Sequence, residues 1–126
     1  MKFLSILDIV LVVLVCACSK TENVYYYQTS VAPASTLDYV GCYSDTSTRA
    51  LPDFLLQSGA TVESCIALAK ASGYKYAGVQ YGVQCFAGNT LGYTELPASS
   101  CNMPCTADPN EICGGTWSNS IYGTGL

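Results

Sequence analysis

The sequence contains no histidine. That removes Ser-His and Cys-His activation of a nucleophile, and most catalytic zinc chemistry, at once. Basic residues are scarce: five Lys and Arg stand against nine Asp and Glu, for a formal net charge of -4. Without a basic patch, nucleic-acid binding is excluded as a function class, and anionic membrane surfaces are disfavoured. Close Cys-x-x-Cys pairs are missing, so a thiolate zinc site lacks its usual spacing, and no metal or other cofactor is expected. No Asn-x-Ser/Thr sequon occurs, which argues against N-glycosylation. No apolar run approaches the roughly 20 residues that a membrane-spanning helix needs.

The longest apolar run, Phe3 to Val15, follows Lys2 and is interrupted by Asp8. A basic residue, a short apolar core and then the small residues Cys16, Ala17, Cys18 and Ser19 have the pattern of a secretory signal peptide. Residues 1–19 are therefore expected to be cleaved, after Cys18 or Ser19. That choice leaves six cysteines, an even count; a lipidated Cys18 is the alternative, and the residues before it fit that motif poorly. Residues 20–38, with Tyr25-Tyr26-Tyr27 and a small, polar, proline-containing stretch, read as a linker or tail. The mature protein is expected to be secreted, extracellular or wall-associated, and monomeric.

What is present in quantity is cysteine and tyrosine. Six cysteines lie in the order Gly41-Cys42-Tyr43, Cys65, Cys85, Cys101-Asn-Met-Pro-Cys105 and Cys113-Gly114-Gly115. An even cysteine count in a short chain with a signal peptide reads as a disulfide framework, because a small core alone stabilises poorly. Within residues 39–126 the pattern predicts a strand over Tyr39–Tyr43 and irregular chain over 46–59. A helix follows, capped by Thr61 and stopped by Gly73. Further strands are expected over Tyr76–Tyr81, Gln84–Phe86 and Trp117–Tyr122, with loop from Gly88 to Gly115. One helix, several short strands and much loop make an α+β class.

Glycoside hydrolysis needs two carboxylates across a cleft. Asp38, Asp45, Asp53, Glu63, Glu95, Asp108 and Glu111 fall mostly at turns or in a first helical turn, where capping and solvation account for them. No catalytic residue is nominated, and the protein is not expected to be an enzyme. The aromatics are more informative. Sugar rings present apolar C–H faces that lie against aromatic rings, while Asn and Gln amides serve the hydroxyls. Tyr81, Phe86, Asn89, Tyr93, Trp117 and Asn119 are the candidates for such a surface. Tyr43, Tyr76 and Tyr122 are assigned to packing within strands, and Asn89 and Asn102 fit equally well as turn formers.

Taken together these segments resemble the WSC domain family, cysteine-rich carbohydrate-binding modules found mainly in fungal cell-surface and secreted proteins. The matching pieces are Val40-Gly-Cys-Tyr-Ser-Asp45, Arg49-Ala-Leu-Pro52, Thr61-Val-Glu-Ser-Cys65 and Tyr76-Ala-Gly-Val-Gln-Tyr-Gly82. Gln84-Cys-Phe-Ala-Gly-Asn89, Cys101-Asn-Met-Pro-Cys105 and Ile112-Cys-Gly-Gly115 complete the set. The resemblance implies a small disulfide-stapled domain similar to the PAN/apple module, one helix packed on a twisted antiparallel sheet. It also implies a neutral polysaccharide, such as a β-glucan-like wall glycan, as partner. A protein partner, bound by a structural or effector-like protein of the same fold, is the alternative.

Two departures from the family matter. Relatives usually carry eight cysteines; here Ala69 and Ala87 stand where the second cysteine of each of two pairs would be. The resemblance therefore implies that Cys65 pairs with Cys85 and that Ala69 packs near Ala87. Pairing among Cys42, Cys101, Cys105 and Cys113 has three possibilities. Cys42–Cys105 with Cys101–Cys113 is preferred, because closing the short Cys101–Cys105 loop is awkward. Second, Gln80 and Gln84 stand where relatives often carry glutamate, so any site built on those carboxylates is altered.

Overall fold

In the computed structural model the residues described are 37–126. The expected signal peptide over 1–19 and all of the expected tail except Leu37 and Asp38 lie outside them. The elements are β1 (Asp38–Ser44), β2 (Asp53–Leu56), α1 (Val62–Ala71), β3 (Tyr76–Gln80), β4 (Gln84–Gly88), β5 (Glu95–Leu96) and β6 (Ser118–Gly123), with a single 3-10 turn at Ala98–Ser100. The strands form one antiparallel sheet in the order β2-β4-β3-β6-β1-β5. This is the disulfide-stapled α+β architecture expected, one helix on an antiparallel sheet.

The helix begins where its first free N–H groups find partners. Ser64 N donates to Thr61 Oγ1 at 3.1 Å and Thr61 N donates to Ser64 Oγ at 2.9 Å, a reciprocal cap. It ends at Gly73, whose φ of 82° is a conformation that side-chain-bearing residues avoid. Val62, Cys65 and Ala69 form its buried stripe. Strand alternation sends Ala77 and Val79 of β3, and Cys85 and Ala87 of β4, to the helix side. The alanines let helix and sheet approach closely. Cys65 and Cys85 are bridged across this layer, with Ala69 and Ala87 buried in the same cluster. Tyr122 packs against its rim, and burial, with the neighbouring Tyr39 hydroxyl, pushes its phenol up to about 12.

On the opposite side of the sheet, Leu51, Phe86 and Ile121 make a second core. Gly78 sits between Phe86 and Ile121 in the register. A Cβ there would stand 2.7 Å from Leu51 Cδ1 and 3.0 Å from Ile121 Cδ1, so any side chain at this position would force Leu51 to shift.

Three expectations are corrected. Asp53–Leu56 is a strand, not irregular chain. Its sequence lacks apolar–polar alternation, and pairing with β4 makes it a strand. Glu95–Leu96 likewise pairs with β1 inside the expected loop. The remaining disulfides are Cys42–Cys101 and Cys105–Cys113, not Cys42–Cys105 and Cys101–Cys113. The short β5 lies against Cys42 and Tyr43, and the 3-10 turn after it delivers Cys101 beside Cys42. Cys105 and Cys113 flank an antiparallel bridge, Pro104 to Ile112. Cys105 N donates to Glu111 O there, and Cys113 N donates to Met103 O.

Candidate functional site

A groove of about 360 Å³ opens on the second face of the sheet, lined by Arg49, Gln80, Tyr81, Gln84, Thr116 and Trp117. Three turns build it. The β3–β4 hairpin supplies Gln80 and Gln84 at the strand ends and Tyr81 in its turn; the turn before β6 supplies Thr116 and Trp117; the loop after β1 supplies Arg49. Tyr81 N donates to Gly115 O at 3.3 Å and Gly82 N to Cys113 O at 2.9 Å, which locks the first two turns together. Asp45 N donates to Trp117 O at 2.8 Å and holds the third against them.

Arg49, Tyr81 and Trp117 share a backbone conformation. Their φ values are 58°, 56° and 55°, and among the described residues no other non-glycine has a positive φ. Each such residue costs roughly 1–3 kcal/mol and persists only where its surroundings over-determine it. All three line one groove. Two of them present large rings to solvent, Tyr81 at 56% and Trp117 at 50% exposure.

Arg49 is neutralised where it stands. Its Nη1 donates to Asp45 Oδ2 at 2.7 Å, and the Asp45 carboxylate, itself buried, also accepts from Ala50 N at 2.7 Å. The guanidinium lies over the Phe86 ring, 4.7 Å from its centroid, and 5.2 Å from that of Trp117. The groove therefore carries little uncompensated charge. At its base Gln80 is only 3% exposed, and its Oε1 finds no hydrogen-bond partner among the described residues. Asn119, the direct cross-strand partner of Gln80, is buried with both amide atoms equally unpartnered.

Of the six residues nominated for a sugar surface, the structure brings Tyr81 and Trp117 together in the groove. Two of the nominated residues are buried. Phe86 is 2% exposed, because β4 is an interior strand and Arg49 roofs the ring. Asn119 is buried on β6 between β1 and β3. Asn89 and Tyr93 lie outside the groove lining. Asn89 accepts from Lys75 N at 3.0 Å, and Tyr93 shares a hydrogen bond with Thr46 Oγ1 at 2.9 Å. Sequence reasoning missed Arg49 and Thr116. Arg49 did carry a signal: it is the sole arginine of the sequence.

A family model for the WSC domain matches residues 39–115. The chain belongs to the WSC domain family. Among relatives, it is 42% identical over 92 residues to "Xylosyltransferase oxt" of Drosophila melanogaster, covering 69% of this chain and 10% of that protein. It is 37% identical over 94 residues to a "WSC domain-containing protein" of Arthroderma benhamiae, covering 71% and 12%. "Kremen protein 2" of Homo sapiens is 30% identical over 115 residues, covering 85% and 24%. The chain thus spans about a tenth to a quarter of these relatives' lengths. The match to the xylosyltransferase is confined to the WSC region and carries no transferase activity to this chain. The WSC domain is a non-catalytic, cysteine-rich module.

Proposed function

We propose that this WSC domain is a secreted binding module that recognises a neutral polysaccharide of the β-glucan kind in its groove. The observation that carries the reading is the convergence of the three left-handed non-glycine residues on one groove. Two of them offer exposed rings there, above the buried, unpartnered Oε1 of Gln80. The rings of Tyr81 and Trp117 offer apolar faces for the C–H face of a pyranose. Gln84, on the same lining, offers the short-range donors and acceptors that hydroxyls require. The Asp45–Arg49 pair leaves no free charge for an ionic ligand to seek. No step of chemistry is assigned, since the groove holds no nucleophile–base pair.

Contact through one or two rings supports affinities from micromolar to millimolar, about -4 to -8 kcal/mol. Binding assays on insoluble glucan, chitin and xylan, followed by titration calorimetry, test this. Trp117→Ala is expected to weaken binding about tenfold without unfolding the domain. Added salt should change the affinity little, because the partner is uncharged. Failure to bind every neutral glycan, or loss of binding in moderate salt, refutes the sugar reading and leaves a protein partner as the better account.

A further inference from the structure

The aromatic lining does not stop at Trp117. Beyond it lies the Arg49 guanidinium, then Phe86, and Phe86 stacks on Phe54 with centroids 4.9 Å apart and planes tilted by 40°. Trp117, Arg49, Phe86 and Phe54 form one continuous row. Phe86 is sealed within it, but Phe54 at the far end is 47% exposed.

The position of Phe54 follows from the register of β2. Phe54 pairs directly with Phe86 and so shares its face of the sheet. The pairing then slips between Phe54 and Leu56, and both Leu55 and Leu56 pack into the helix-side core. The bulge leaves Phe54 alone on the groove face. β2 is a short edge strand that begins with Asp53 after Pro52, and its half-exposed ring stands beside those edge-blunting residues. The one cation in the row is already paired with Asp45.

We infer that the binding face extends from Tyr81 and Trp117 past Arg49 onto Phe54, so that it takes several consecutive rings of a neutral polysaccharide chain, with Phe54 as an outlying subsite. This rests on the sugar reading above and adds to it. Two groups stand between Trp117 and Phe54, so a single sugar cannot cover both. A chain seated on Trp117 reaches Phe54 as an intramolecular second contact, which raises affinity without requiring a strong contact at either ring.

The test is a series of β-1,3-gluco- and β-1,4-xylo-oligosaccharides, from dimer to hexamer, titrated into the full oxidised chain. Affinity should rise with length. Phe54→Ala should weaken the hexamer roughly three- to tenfold and leave the dimer unchanged, whereas Trp117→Ala weakens every length. Phe54→Leu keeps apolar packing on Phe86 and should reproduce the length-selective loss. In the unmutated protein, the amide resonance of Phe54 should shift with the hexamer and not with the dimer, a readout that needs no variant to fold. Equal loss at all lengths, or a silent Phe54 resonance, overturns the extended face while Trp117-dependent binding keeps the sugar reading. Absence of binding across the whole series overturns both.

Discussion

The two faces of the sheet are built to different ends. The helix side is filled with small residues, Ala60, Ala69, Ala77 and Ala87, around Val62, Val79 and two buried disulfides. The groove side holds a smaller core of larger residues, Leu51, Phe86 and Ile121. It also holds a cation over a ring, the unpartnered Gln80 Oε1 and Asn119 amide, and three left-handed turn residues. One face lowers the free energy of the fold. The other retains locally unfavourable conformations because the docked turns enforce them, which is the pattern expected where rigidity serves recognition.

The largest expected effect breaks the helix side. Replacing both Cys65 and Cys85 with alanine removes a bridge across a sequence separation of 20 residues, and should lower the unfolding free energy by about 3 kcal/mol. Urea denaturation measures this. Below the transition, glycan affinity should survive; a parallel loss of affinity would show that the faces are not independent. A smaller effect sharpens the groove side. Tyr81→Gly should be more stable than Tyr81→Ala by about 1 kcal/mol, since glycine alone takes φ of 56° without strain. Both variants should lose affinity, because both lose the ring. Equal stabilities would mean that the turn carries no strain.

The smallest effect concerns pH and lies at the helix start. Glu111 Oε2 accepts from Val62 N at 2.9 Å, beside Glu63 in the first turn. Partial burial, then a hydrogen bond shared with Glu63, raises the Glu111 carboxyl above its ordinary range, while the bond from Val62 N opposes this. A carboxyl raised in the folded state contributes stability below its unfolded pKa, and loses it as pH rises through the folded one. Thermal melts from mildly acidic to neutral pH should show this loss in the parent. Glu111→Gln, which keeps an acceptor for Val62 N, should flatten the trend and gain slightly at neutral pH. An unchanged pH slope in the variant would assign the dependence to other carboxylates.

Much of the scaffold is legible in local residues. Thr61 and Ser64 name the helix start and Gly73 its end, because capping is decided within a few residues. The apolar strands Tyr76–Gln80 and Gln84–Gly88 could be placed from their own composition and the turn between them. β2 and β5 could not, since Asp53-Phe-Leu-Leu and Glu95-Leu become strands only by pairing with neighbours distant in sequence. Tyr81 and Trp117 were visible as candidate rings beside glycines. That Phe86 and Asn119 are buried was not legible, since Leu51 and Arg49 cover Phe86 from a loop whose place the local pattern does not encode.

By itself the sequence determined the α+β class, the even cysteine set, the lack of histidine-based catalysis and the resemblance to the WSC family. These depend on composition and on short spacings along the chain. Only the tertiary structure decided that Cys42 meets Cys101 and Cys105 meets Cys113. It also decided that the loop carrying the Asp45–Arg49 pair folds over Phe86, and that three segments converge on one groove. The physical reason is the same in each case. Whether the partners lie 8 residues apart, as in Cys105–Cys113, or 59, as in Cys42–Cys101, the geometry is fixed by strand pairing and register rather than by the residues that make the contact.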